Sequence, residues 1–226
     1  MSGAGEERAM SRVILVTGAG GPAGRAVVGK FTELGDTVIG VDKSGAEGCL
    51  AVDLLDRDAV RGLAERVRAE HGRVDGVVHL VGGWRGSKTF ADTSLDDWDL
   101  LHDLLIRTLQ NVSLEFEPLL RASGNGRFAI VSARAAQKPT QGGAAYAAAK
   151  AAAEAWTLSL ADALKDTSAA AVVLVVNALV HDEMRAANPD KPYRTFTDVK
   201  DLAAAVAGLW DEEPAAVNGR RIDLTP

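Results

Sequence analysis

Short apolar runs alternate with longer amphipathic stretches along the chain. Arg12–Thr17, Thr37–Val41, Val74–Val81, Arg127–Ser132 and Ala171–Val176 are rich in β-branched residues and apolar at successive positions. Strands of this kind are buried on both faces, as in a parallel sheet covered by helices. Cys49–Val52 and Arg221–Leu224 read as shorter strands. Between them, Pro22–Leu34, a stretch from Asp53 or Asp56 to Glu70, Leu95–Leu120, Ala144–Leu164 and Asp198–Leu209 read as helices. Gly35 stops the first, and either Asp53 or Asp56 caps the second. Pro118 predicts a kink or fray near the end of the long third helix. The alternation predicts a doubly wound α/β sandwich, one domain over residues 11–226. Its sheet is mostly parallel, of about seven strands, with helices on both faces. Residues 1–10 are small, polar and acidic, and read as a disordered extension without the apolar run of a signal peptide.

Composition narrows the classes of function. The 226 residues, 47% hydrophobic, are ample for one large core and leave no room for a separate substrate domain. Lys and Arg number 25 against 31 Asp and Glu, a net charge of −6, which argues against nucleic acid or an anionic membrane as partner. The longest apolar runs, such as Ala169–Val176, fall far short of the roughly 20 residues a membrane span needs. A cytoplasmic protein is expected. One cysteine excludes an intramolecular disulfide, and no Cys/His spacing resembles a zinc site, so no metal is expected. Cys49 itself reads as a buried small apolar residue, and His79 as a hydrogen-bonded core histidine.

The chemistry concentrates at two places. After the first strand the chain reads Thr17-Gly18-Ala19-Gly20-Gly21-Pro22-Ala23-Gly24. A glycine turn between a first strand and a helix lets a pyrophosphate approach the backbone, at a helix end with free N–H groups and a positive dipole. Asp42 ends the second strand, where a carboxylate accepts from adenosine ribose hydroxyls and repels a 2′-phosphate, favouring NAD(H) over NADP(H). Asp53 follows the third strand, either as an adenine contact or as a helix cap. The second place is the alanine-dense helix, where Tyr146 and Lys150 lie one turn apart on one face. A nearby ammonium favours a phenolate, so Lys150 is expected to lower the Tyr146 pKa and let it pass a proton at neutral pH.

Together these features resemble the short-chain dehydrogenase/reductase family, a single-domain Rossmann fold, over about residues 12–225. The resemblance implies Tyr146 as proton donor or acceptor, with Lys150 tuning it and holding the nicotinamide ribose. The chain departs from the family pattern in several places. Pro22 stands for the middle glycine of the turn, and the Asn-Asn-Ala-Gly after the fourth strand reads His79-Leu80-Val81-Gly82. Ala133 occupies the position of the catalytic serine, with Ser132 one step before it as a candidate replacement. Leu105 falls where the family has its catalytic asparagine, and the Pro-Gly after the sixth strand is missing from Asn177-Ala178-Leu179-Val180.

Dihydropteridine reductases share several of these departures. They have alanine at the position of Ala133 and a Gly-Gly-Trp like Gly82-Gly83-Trp84 after Val81. Similarity to that branch implies NADH-dependent reduction of a small planar acceptor, with Trp84, Ala133, Tyr146 and His181 near the substrate. A quinonoid pterin takes hydride and a proton without an isolated alkoxide, which makes a missing serine tolerable. The alternatives are a ketoreductase or alcohol dehydrogenase on another carbonyl, or a nucleotide-binding regulator that lost the Ser and Asn. The loop Asn177–Phe196 reads as a lid, with Asp182 where a nicotinamide-contacting threonine is usual. The helices 95–120 and 144–164 are expected to mediate a homodimer or homotetramer.

Overall fold

A computed structural model describes residues 11–226, so the extension expected over residues 1–10 lies outside the described residues. The strands are β1 (Val13–Thr17), β2 (Thr37–Asp42), β3 (Leu50–Ala51), β4 (Gly76–His79), β5 (Gly126–Ala133), β6 (Ala169–Val176), β7 (Leu179–Val180), β8 (Thr197–Asp198) and β9 (Arg221–Asp223). The helices are α1 (Pro22–Glu33), α2 (Arg57–His71), α3 (Leu95–His102), α4 (Thr108–Arg121), α5 (Ala144–Leu164), α6 (Asp182–Ala187), α7 (Val199–Ala207) and α8 (Pro214–Val217).

Seven strands form one parallel sheet in the order β3-β2-β1-β4-β5-β6-β9. The order reverses between β1 and β4, the crevice where doubly wound sheets place ligands. Alternating side chains split the core between the two faces. Phe128 and Ile130 of β5 pack with Val60 and Val67 of α2, Phe116 of α4 and Leu160 of α5. Ala129, on the other face, packs with Val27 and Phe31 of α1 and Leu202 and Val206 of α7. The register places Thr17 beside Val41 and His79, and His79 beside Ile130. Strand β5 continues through Val131, Ser132 and Ala133, past the last residue of β4. That overhang carries catalytic-end residues beyond the sheet centre.

Three local expectations are corrected, and one alternative is resolved. The helix expected over Leu95–Leu120 is continuous from Leu95 to Arg121, with a π-turn inside it at Asp103–Arg107 and no break at Pro118. Buried Phe116, Leu119 and Leu120 hold the last turn of α4 on the core, so the helix runs through Pro118 to Arg121. Of the two caps expected for α2, Asp56 is the one used, accepting from the amides of Asp58 and Ala59. The Asn177–Phe196 segment is not a bare loop: it holds β7 and α6, and β7 pairs with β8 in a small parallel sheet. Cys49 is half-buried rather than buried, and burial pushes its thiol pKa up.

Candidate active site

Two cavities open at the carboxyl ends of the sheet and meet along Leu80, Val81 and Gly82. The first, about 260 Å³, is lined by Gly18, Gly21, Asp42, Asp53 and Leu54, among others. The second, about 340 Å³, contains Ala23, Gly83, Trp84, Ser132, Tyr146 and Lys150 in its wall.

The glycine turn is built by close approach. Gly18 has φ +72°, and a Cβ there would meet the Leu80 carbonyl carbon and the Val81 amide nitrogen at 3.0 Å. A Cβ on Gly24 would lie 2.2 Å from the Gly18 oxygen, so this glycine lets α1 pack against the turn. Gly21 is the N-cap, Pro22 occupies the first turn, and no side chain caps the helix. Pro22 is well suited there, since its missing N–H would have no helical partner. The uncapped helix end over a crevice suits an anion such as a pyrophosphate.

Asp42 stands beside this turn. Its carboxylate accepts from the Gly20 amide at 3.3 Å, and from the Ser44 hydroxyl at 2.7 Å and amide at 3.0 Å. The Ser44 hydroxyl above all, and then the Ser44 amide, hold its pKa below the usual carboxylate range. Asp53 turns back on the Leu55 amide and pairs with Lys43 at 3.1 Å.

At the other end, α5 presents Tyr146 and Lys150 to the second cavity. The Tyr146 ring packs against a small apolar cluster of Leu101, Leu105, Ile106 and Ala149. Leu105, at the expected asparagine position, is therefore part of the ring's packing. Lys150 Nζ lies 5.8 Å from the Tyr146 ring centroid and donates to the Val131 carbonyl at 2.7 Å. The lysine was expected to lower the phenol pKa. Instead, burial pushes Tyr146 up to about 12. Burial also pulls Lys150 down to about 8, opposed by the charge of Glu154.

Ser132 lies in the cavity wall, but its hydroxyl donates to buried Glu154 at 2.5 Å. Glu154 also accepts from Arg221 at 3.1 Å. Ala133 is 2% exposed and forms no part of either cavity wall. His181 precedes α6, 3.7 Å from Glu183, and is likewise outside both walls. Asp182 is paired with Lys200 at 2.6 Å. Trp84, 63% exposed, sits at the rim, where its loop is docked by the Ser87 amide on the Gly142 carbonyl at 2.9 Å. Two features went unread in the sequence. Glu154 was within reach, being one turn beyond Lys150 on the same face. Thr108 was not, because its contact with His79, at 3.3 Å, joins residues 29 positions apart in the chain.

The fold and site define a nucleotide-type α/β oxidoreductase architecture, and comparison with known proteins gives the family. The model of the short chain dehydrogenase family matches residues 12–192. The chain belongs to the short-chain dehydrogenase/reductase family of oxidoreductases. It is 25% identical to a 3-oxoacyl-[acyl-carrier-protein] reductase of Thermotoga maritima, over 96% of this chain and 97% of that protein. It is 27% identical to a 3beta-hydroxysteroid dehydrogenase of Mediterraneibacter gnavus, over 87% and 73%. It is 28% identical to a benzil reductase of Saccharomyces cerevisiae, a match spanning 67% of this chain and 65% of that protein's length. In fold it is similar to a 3-ketoacyl-(acyl-carrier-protein) reductase from Brucella melitensis complexed with NADH, with a TM-score of 0.80, 21% identity and 94% and 96% of the two chains covered. A short chain dehydrogenase from Shigella flexneri complexed with NADP aligns with a TM-score of 0.82, 21% identity and the same coverage. By their names, the 3-oxoacyl and benzil enzymes are carbonyl reductases and the steroid enzyme is a hydroxyl dehydrogenase.

Among the described residues, no cluster of His, Cys, Asp and Glu could hold a metal ion, and no helix is long and apolar enough to cross a membrane.

Proposed function

We propose that this chain reduces a small carbonyl substrate at the expense of a nicotinamide cofactor, with NAD(H) preferred and Tyr146 donating the proton. The observation that carries this reading is the wall of the second cavity. Tyr146 and Lys150 share it, and it joins the glycine-turn cavity along Leu80–Gly82. The relatives named above support a carbonyl substrate.

The cradle fits the cofactor. Gly18, Gly21 and the start of α1 would hold its pyrophosphate, with Gly20 and Gly24 giving the turn its shape. Asp42 would take the adenosine ribose, Asp53 and Leu54 would flank the adenine, and Lys150 would take the nicotinamide ribose. When bound, the cofactor supplies the hydride. This chain's residues handle the proton. The Tyr146 phenol, at about 12, is protonated at neutral pH and gives its proton to the substrate oxygen. The Lys150 cation offsets the negative charge left on the phenolate oxygen. Exposed Leu114 on α4 and Leu158 on α5 support self-association through those helices, as a homodimer or homotetramer.

A second reading, a planar imine-like acceptor of the dihydropteridine kind, is favoured by one observation. Ser132 spends its only hydroxyl proton on Glu154, and Ala133 has no hydroxyl, so neither helps stabilise an alkoxide.

Thermal shift with NADH and NADPH tests binding, and oxidation of the better cofactor tests chemistry. The panel should include ketones, 1,2-diketones, 3-oxoacyl thioesters and quinonoid dihydropterins. A larger shift with NADH and turnover of a ketone are expected. Turnover of the pterin alone establishes the second reading. Binding without any turnover points to the regulator, and no shift with either nucleotide overturns the enzymatic readings altogether.

A further inference from the structure

Glu154 is 7% exposed on α5, one turn beyond Lys150 and two beyond Tyr146. One carboxylate oxygen accepts from Ser132 on β5 and the other from Arg221 on β9. Strand β6 lies between those strands, so a single side chain ties α5 to both sides of it. Ser132 has one hydroxyl proton, and Glu154 receives it. Toward the cavity, Ser132 therefore offers lone pairs only.

Lys150 is 8% exposed. Three titratable groups on two elements face it, and a fourth, Arg221, pairs with one of them. Tyr146 and Glu154 share its helix, His79 faces it from β4, and Arg221 on β9 partly neutralises Glu154. Of these, Glu154 carries the negative charge that opposes the burial of the ammonium.

Building on the Tyr146–Lys150 chemistry proposed above, we propose that Glu154 is a positioning residue that keeps the buried Lys150 a cation and turns the Ser132 proton away from the substrate. The substrate atom beside Ser132 is then an N–H or O–H donor rather than a bare carbonyl oxygen. The carbonyl oxygen being reduced must sit at Tyr146.

The test compares full-length Glu154→Gln and Arg221→Gln with the parent. The Lys150 side-chain nitrogen is followed by NMR of lysine-labelled protein across pH, its signal assigned by its loss in Lys150→Met. In Glu154→Gln the Lys150 midpoint falls by at least about one pH unit, because burial is no longer opposed. The alkaline limb of kcat/KM moves down with it. In Arg221→Gln the midpoint rises, because the Glu154 charge is no longer shared. Opposite shifts cannot come from general loosening of the fold. A folded Glu154→Gln protein with an unmoved Lys150 midpoint overturns the proposal. If that variant does not fold, Arg221→Gln decides alone, and a midpoint that stays or falls overturns it. The titration needs neither cofactor nor turnover. A failure of the proposed reduction would leave these shifts intact and appear only as absent binding or turnover.

Discussion

His79 Nε2 lies 3.3 Å from the hydroxyl oxygen of Thr108, and the proton balance there fixes the imidazole as one tautomer. The π-turn sends the Thr108 amide to the Asp103 carbonyl. The Thr108 hydroxyl donates to the Leu104 carbonyl at 2.7 Å, so its oxygen is left to accept from Nε2–H. Nδ1 then accepts from the Thr17 hydroxyl at 2.8 Å. A neutral histidine thus joins the strand before the glycine turn to the helix whose Thr108 lines the first cavity.

Acid should therefore weaken the fold through His79. Burial first, and the Lys150 charge second, push its pKa down to about 3, from the ordinary 6.5 of a histidine. As pH falls below about 6.5, the unfolded chain takes up a proton that the folded chain refuses. Stability is lost progressively from there toward pH 3, by up to roughly 1.4 kcal/mol per pH unit from this group. His79→Asn keeps amide donors and an acceptor but removes the titration. Urea unfolding at pH 7.5, 6 and 5 should give a flatter pH dependence for the variant. Parallel slopes would mean that His79 titrates normally in the fold.

Lys150 trades stability for activity. Its pKa of about 8 lies below the usual 10.5, so the burial cost is fully present below pH 8. Between about 8 and 10.5 the unfolded chain holds a proton that the folded one releases, and this group's contribution rises with pH. Lys150→Met should raise stability at pH 7 by roughly 1–2 kcal/mol, after the lost bond to the Val131 carbonyl is counted. Turnover should collapse in the same preparation. Melting temperature and rate measured together check both, and a lower melting temperature would show that the buried cation is well compensated.

Tyr146→Phe should cut turnover by roughly 10²–10⁴-fold. The ring packing against Leu101 and Leu105 survives this change, so nucleotide-induced thermal shifts should persist. In the parent, the reductive rate should hold steady through neutral pH and decline above about pH 8, as Lys150 rather than Tyr146 loses its proton. Full turnover in the variant would remove Tyr146 from the chemistry.

Asp42→Ala should shift the cofactor preference toward NADPH by about tenfold or more, equivalent to at least about 1.4 kcal/mol. The change removes the charge that faces the ribose and also the bonds to Gly20 and Ser44, so NADH affinity should fall too. KM values for both cofactors are the measurement. An unchanged ratio would place the adenosine ribose away from Asp42.

Much of the sheet and both halves of the site were legible because their signals are local. Continuous apolar runs marked the central strands, Gly18 marks a backbone with φ +72°, and the spacing of Tyr146 and Lys150 puts them on one helix face. The electrostatics of those same residues were not legible. A lysine four residues from a tyrosine suggested a lowered phenol pKa, but the apolar packing of the ring and the bond from Lys150 to Val131 leave burial in control. Ser132 was visible as a spare hydroxyl. Only the register of β5, β6 and β9 shows that its proton belongs to Glu154, with Arg221 on the other side. The sequence by itself determined the elements, the turn and the reactive pair, since each depends on neighbours along the chain. The tertiary structure decided which of their protons are free, because burial and hydrogen-bond partners come from residues far apart in the chain.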